Sequence, residues 1–369
     1  MVFNKTYRAV SIGRTGCGGF GHGLHKPFME LGNIDFVALS DDDDEGRKTA
    51  QETAGVPSAY ADYKEMLKEE NPDLVCIGPR WPDRHLEMVM ASLEVGASIY
   101  CEKPMTSNLQ EGDEIVRAAD TAGKKIAVAH QGVYLDGLQR TKQTIAEGVI
   151  GHLNAVHAHG KQDSRGGGED MIVLGTHLLN GMRFLAGDID WMSAHVTVEG
   201  RELEPADARE ATEPLELVAG DCINCYYAFK SGAAGFFDSR KDQPGRSHLF
   251  GWEVIGSEGR IFLSGGGGAD AMIYPHAAFV PNDTDRKWQP VDGVGNQDFQ
   301  REGNKRAVLD LIDAIENDRE PISSARDAVA ALEMILGAYE SQITGARVEF
   351  PMRQRKHPLA AWKDGEYGR

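Results

Sequence analysis

Residues 7–23 read YRAVSIGRTGCGGFGHG, a short apolar run that breaks into a glycine-dense loop. Gly16, Gly18 and Gly21 fit the spacing G-x-G-x-x-G. Gly13 closes the strand, where the tight turn of a dinucleotide fingerprint normally sits, so the register of the motif stays open. The motif gains meaning from what surrounds it. A helical pattern follows (HKPFMELG, 25–32), and a second strand (DFVALSD, 35–41) runs into consecutive aspartates at 41–44. Glycines admit the backbone to a pyrophosphate, whose charge is favoured at a helix N-terminus. Asp41, at the end of the second strand, is placed to accept hydrogen bonds from a ribose diol. Four successive aspartates repel a 2′-phosphate, so NAD is expected over NADP. Gly13, Thr15, Gly16, Gly18, Gly21 and Asp41 are therefore the candidate cofactor contacts of this region. The plainer reading is an acidic surface turn beside a glycine-rich loop.

Outward from this stretch the same alternation continues. DLVCIG (73–78), SIYCEKP (98–104) and KIAVAHQ (125–131) are buried-strand patterns, separated by helical segments such as DEGRKTAQETAG (44–55) and HLEMVMASLEVG (85–96). Strand–helix alternation predicts a doubly wound parallel sheet, an N-terminal Rossmann domain over residues 1–130. Beyond it, LNAVHAHG (153–160), NCYYAFKSGAAGFFDSR (224–240) and GWEVIGSEGRIFL (251–263) read as antiparallel strands joined by turns. Helical patterns near 303–317 and 324–343 close a second α/β domain, residues 131–369, built on a large, mostly antiparallel sheet; the closing helices are free to pack back on the first domain. The GGGG run at 265–268 reads as a loop.

Composition narrows the function. A chain of 369 residues exceeds one hydrophobic core. Its net charge of −18 argues against nucleic acid, which demands clustered Lys and Arg. No stretch has the length and hydrophobicity of a membrane span. Five scattered cysteines and a start without a secretory pattern point to a reducing, cytoplasmic setting. Cys222 and Cys225 form a C-x-x-C, but a strand turns positions three apart to opposite faces and no second ligand pair lies nearby. No metal site is expected.

Two further stretches carry chemistry. CEKP (101–104) ends a parallel strand, which aims Lys103 at the crevice where open α/β sheets bind ligands. GGGEDMIVLGTHLLN (166–180) places His177 on a helical pattern, either as an acid/base or as a core histidine.

Together, CEKP, the glycine loop, WPDRH (81–85), GTH (175–177), VIGSEGRI (254–261) and the closing segment 309–351 resemble the glucose–fructose oxidoreductase/inositol dehydrogenase/rhizopine catabolism (Gfo/Idh/MocA) family. The resemblance implies a tightly held nicotinamide cofactor and redox chemistry on sugars, cyclitols or glycosides. It also implies a homodimer or homotetramer packed through the large sheet. Lys103 matches the family lysine that contacts the reacting hydroxyl and the nicotinamide ribose, with Glu102 and Pro104 shaping its turn. Trp81 and His85 match cofactor-side positions. His177 matches the proton-transfer histidine. The family commonly has D-x-G-x-H here, and this chain has Val173 in place of the aspartate. Asp170, Val173 and His177 share one face if the helix is continuous, but Asp170 then lies about 10 Å below His177, at roughly 1.5 Å per residue. Asp170 or Glu169 is left to bind substrate or to cap the helix. His130, Lys161 and Arg165 join Asp170 and His177 as candidate substrate contacts. Competing readings are an NAD-using lyase or hydrolase that oxidises its glycoside transiently, and a non-catalytic NAD- or sugar-binding protein.

Overall fold

The computed structural model describes residues 5–243, 250–265, 271–277 and 286–367. Residues 266–268 of the glycine run lie outside these. The described residues form two compact units, one of residues 5–129, 213–215 and 300–329, the other of the remaining described residues.

The first unit is a parallel sheet of β1 (Tyr7–Ile12), β2 (Ile34–Ser40), β3 (Ser58–Tyr60), β4 (Leu74–Ile77), β5 (Ser98–Cys101) and β6 (Ile126–Val128), in the order β3-β2-β1-β4-β5-β6. The strand order reverses at β1, so the β1 and β4 carboxyl ends are where this topology opens a ligand crevice. β4 and β5 are buried at every residue, as continuous apolar runs in a sheet covered on both faces require. Between the strands run α1 (Lys26–Glu30), α2 (Asp44–Ala54), α3 (Tyr63–Glu70), α4 (His85–Glu94) and α5 (Leu109–Ala122). Side chains of Asp43, Asp62 and Asn108 cap α2, α3 and α5 by accepting backbone N–H bonds in the first turn. The outer edge of β6 is blunted by the segment before a later helix, where Val128 N–H donates to Ser323 O at 2.8 Å.

The second unit begins with α6 (Asp136–Ala146) and β7 (Leu153–His159), then α7 (Gly168–Val173), α8 (Gly175–Ala186) and β8 (Ile189–Val198). Short strands β9 (Arg201–Glu202), β10 (Arg209–Glu210) and β11 (Leu217–Val218) precede β12 (Cys222–Phe229), β13 (Ala234–Arg240), β14 (Gly251–Gly256), β15 (Arg260–Ser264), β16 (Ala271–Tyr274) and β17 (Gln289–Pro290). The helices α9 (Phe299–Glu316) and α10 (Ala325–Thr344), then β18 (Val348–Glu349) and α11 (Pro358–Lys363), complete the chain. Residues 300–329, most of α9 and the start of α10, belong to the first unit.

Among the described residues the large sheet has ten strands and is antiparallel except where β7 and β13 run parallel. Its inner face carries Tyr227, Phe237 and Trp252, all sealed from solvent. α8 lies on that face. Trp252 Nε1–H donates to Leu178 O at 2.9 Å, and a Cβ on Gly181 would lie 2.5 Å from the indole. Only glycine lets the helix approach this closely. Cys222 and Cys225 sit on opposite faces of β12, as strand geometry demands, and the described residues hold no cluster of potential metal ligands. No described helix is long and apolar enough to cross a membrane.

Candidate active site

In the first unit the strand ends and the glycine loop form one construction. Gly13 closes β1 and donates to Ser40 O at 2.8 Å. Gly16 then adopts φ +81°, and a Cβ there would meet no atom within 4 Å, so backbone rather than side chain faces outward. The loop continues to Gly23 before the five-residue α1 begins at Lys26. This corrects the expectation that a helix N-terminus receives the pyrophosphate. The helix is too short and starts too late, and the N–H groups of Gly13, Arg14, Thr15, Cys17, Gly19, Gly21, His22 and Gly23 are already donated to protein acceptors that fix the loop's path.

Beside the loop, at the ends of β1 and β2, lies a cavity of about 150 Å³ lined by Gly13, Arg14, Asp41, Asp42, Tyr63 and Arg84 among others. Its two guanidiniums are already engaged. Arg14 pairs with Asp83 at 2.8 Å, and Arg84 pairs with Glu87 and lies 3.9 Å from Asp42. Paired cations offer little to a 2′-phosphate. Backbone-lined loop, acidic cavity and strand ends fit a dinucleotide without one.

Asp41 departs from expectation. It is 1% exposed, and its carboxylate accepts from Thr15 N–H at 3.0 Å, Thr15 Oγ1–H at 2.9 Å and Asp43 N–H at 3.1 Å. Thr15 and Asp41, both read as cofactor contacts, are thus bonded to each other. They brace the loop against β2. Within the aspartate run, the acid with an exposed side chain at the cavity is Asp42. Asp43 is spent on the α2 cap, and Asp44 on a pair with Arg47. The aspartate run therefore combines a latch, a cap, an ion pair and one exposed acid at the cavity, itself 3.9 Å from Arg84.

At the end of β5, Lys103 is 5% exposed and precedes a cis peptide bond to Pro104. Glu102 is completely buried. Its Oε1 accepts from Lys103 N–H at 2.9 Å, and its Oε2 accepts from His22 N–H at 3.0 Å and from the His22 ring Nδ1 at 2.9 Å. Burial opposes ionisation of this carboxyl, but the His22 hydrogen bond and charge and the nearby Lys103 ammonium outweigh it, and the carboxyl is held below its ordinary range. His85 is also fully buried, with its ring nitrogens against Met105 O at 3.0 Å and Pro79 O at 2.9 Å. This corrects its reading as a cofactor contact: it pins the two loops that flank the crevice. Trp81, by contrast, is partly exposed, and its N–H donates to Cys17 O at 3.4 Å, tying the loop after β4 to the glycine loop.

In the second unit the helical stretch 168–186 is broken at Leu174, with φ −116° and ψ −35°, into α7 and α8. The continuous face through Asp170, Val173 and His177 is therefore not formed. Asp170 is sealed. Its Oδ2 accepts from Ser239 Oγ–H at 2.6 Å and from Lys161 N–H at 2.9 Å, and burial pushes its carboxyl pKa up. Neither substrate binding nor capping fits these contacts, and α7 has no side-chain cap. Asp170 instead anchors the 160–167 loop to β13. Glu169 accepts from Arg209 at 3.0 Å and from Thr212, fastening the β10–β11 region to α7. Both acids hold structure.

His177 is itself largely buried. Leu178, Leu179 and Met182 are fully buried, whereas His177 keeps 8% of its surface and Val173 is only half-buried. Its ring meets the rings of His130 (5.6 Å, 89°) and Phe299 (5.9 Å, 74°) edge-on. His130 Nε2 lies 2.9 Å from Thr176 Oγ1, which fixes the His130 ring. Lys161 and Arg165 extend from the anchored loop, each 3.4 Å from the Asp163 carboxylate. The structure thus groups His130 with His177, and Lys161 with Arg165. Reading the sequence missed His22, Thr176 and Ser239, whose roles depend on partners many residues away.

Residues 10–130 match a family described as an oxidoreductase family with an NAD-binding Rossmann fold, and residues 142–350 match the C-terminal α/β domain of the same family. The chain belongs to the Gfo/Idh/MocA oxidoreductase family. As a family member it is an enzyme, an oxidoreductase that uses NAD. It is 24% identical over 368 residues to D-apiose dehydrogenase from Paraburkholderia graminis, covering 96% of this chain and 92% of that one. It is 26% identical over 261 residues to myo-inositol 2-dehydrogenase from Thermotoga maritima, covering 69% and 75% respectively. Its fold matches that of a levoglucosan dehydrogenase solved with NADH and levoglucosan, with a TM-score of 0.76 at 18% identity over 94% of this chain and all of that one.

Proposed function

We propose that this protein oxidises or reduces one carbinol carbon of a sugar, cyclitol or glycoside with NAD as the hydride partner. Bound NAD supplies a nicotinamide ring that takes or gives the hydride. The protein must then manage the hydroxyl proton and the charge left on oxygen. His177 takes the proton, as an imidazole does near neutrality. Lys103 stabilises the developing alkoxide. The observation that carries the reading is the setting of His177: its ring is held edge-on between the rings of His130 and Phe299, and His130 is itself fixed by Thr176. His130 serves as its brace, and Lys161 and Arg165 contact substrate hydroxyls from the anchored loop. The relatives named for dehydrogenation of a pentose and of a cyclitol support a polyhydroxylated substrate.

The test is a panel of sugars, cyclitols and glycosides incubated with the protein and NAD. Net NADH formation with at least one supports the dehydrogenase. Conversion of a glycoside without net NADH would replace it with transient oxidation.

We also infer a homo-oligomer assembled through the outer face of the large sheet. Trp191, Tyr226 and Phe236 stack across β8, β12 and β13 at 5.3 and 5.4 Å, and His157 on β7 extends the row at 4.4 Å from Phe236. Phe236 is 39% exposed, and an aromatic ladder open to water is a surface that a second copy covers. Light scattering at micromolar concentration should report a dimer or tetramer, and Phe236→Glu should shift it toward monomer. A monomeric wild-type protein would contradict the inference.

A further inference from the structure

His22 lies inside the glycine loop but its side chain reaches back to the catalytic turn. The acceptor is Glu102, whose carboxylate is fully buried and receives three hydrogen bonds. Two come from His22, through its backbone N–H and ring Nδ1, and the third from the backbone N–H of Lys103. A buried carboxylate stripped of a donor is costly, so its partners are held in place as firmly as it is. The loop is packed tightly here. A Cβ on Gly21 would lie 2.4 Å from Glu102 Oε2 and 2.3 Å from Gly78 O. A second tether holds the same residue, for Asn304 Nδ2–H donates to His22 O at 3.0 Å while Asn304 Oδ1 accepts from Tyr100 O–H at 2.8 Å. Tyr100 lies on β5, three residues before Lys103.

We propose that His22 is a positioning residue that joins the cofactor loop to the Lys103 turn through the buried Glu102 carboxylate. One carboxylate then sets both the loop that cradles the pyrophosphate and the backbone of the lysine. Cofactor affinity and lysine placement are coupled. The cofactor arm of this inference stands on the NAD-binding loop alone, whereas the catalytic arm rests on the role proposed for Lys103.

The experiment is titration of NADH by fluorescence, with thermal unfolding in parallel, on wild type, His22→Ala, Glu102→Gln and the double variant. Loss of one hydrogen bond to a charged, buried partner should weaken NADH binding about 10- to 100-fold. The double variant should bind no more weakly than the worse single variant, because both remove the same link. Where an oxidisable substrate is in hand, kcat should fall further than the substrate KM rises. His22→Gln, which keeps a neutral donor of similar reach, should recover part of the affinity and serves in place of the alanine variant if that one does not fold. NADH binding at wild-type strength in folded His22→Ala, or losses that add in the double variant, would overturn the proposal. Neither readout requires turnover, so the outcome stands even if no sugar is oxidised.

Discussion

His177→Ala is expected to lower kcat by about 10² to 10⁴, the range for loss of a general acid/base, while NAD affinity and folding persist. The argument is local. The ring is held edge-on by His130 and Phe299, on the helix whose Leu178 carbonyl accepts from Trp252 Nε1–H. Truncating His177 removes a largely buried ring, so the unfolding midpoint should fall somewhat, and kcat is the deciding readout. Truncation also removes the group that accepts the hydroxyl proton, so the chemical step should slow. A core histidine gives the opposite pattern, with near-full activity and a clear loss of stability. Steady-state kinetics and thermal unfolding of one variant separate the two.

Lys103→Ala should be at least as damaging to kcat. Near complete burial of its side chain means that its ammonium acts where water screens poorly, so the charge it places near the substrate oxygen is worth more than at a surface. Its backbone is fixed independently, by the Glu102 carboxylate, so the turn should survive truncation. Lys103→Arg should not restore the rate, since a planar guanidinium delivers its charge from a different position and cannot shed its proton. Single-turnover measurement of NADH formation reads this directly. A Lys103→Ala enzyme within tenfold of wild type would remove the lysine from the chemistry.

Much of the architecture was legible because it follows from short-range patterns. Buried runs such as LVCI and SIYC, spaced by helical segments, dictate a parallel sheet, and the alternation in CINCYYAF dictates a strand with one inward face. The glycine loop, Lys103 and His177 were singled out by their motifs and by their match to the family's pattern, and their roles are proposals. What was not legible depended on contacts between distant residues. Asp41 looked like a ribose acceptor, but Thr15, drawn in by the loop's own path, occupies its carboxylate. Asp170 looked like a helix-face neighbour of His177. A break at Leu174 and the reach of Ser239, from a strand almost seventy residues on, made it a buried anchor instead. His85 matched a cofactor-side position of the family, yet two carbonyls claim its ring. Val173, the departure from the family pattern, is half-buried rather than sealed, and it lies on α7, across the break from His177.

The central claim is that hydride passes directly between a carbinol carbon and NAD in net turnover. It is tested most directly by supplying a substrate from the panel deuterated at the oxidised carbon and analysing the cofactor by mass spectrometry. The account predicts one deuterium in the NADH formed, in proportion to the ketone or lactone released, and its near disappearance in His177→Ala. Substrate conversion with unlabelled cofactor, or with no reduced cofactor accumulating, would contradict it.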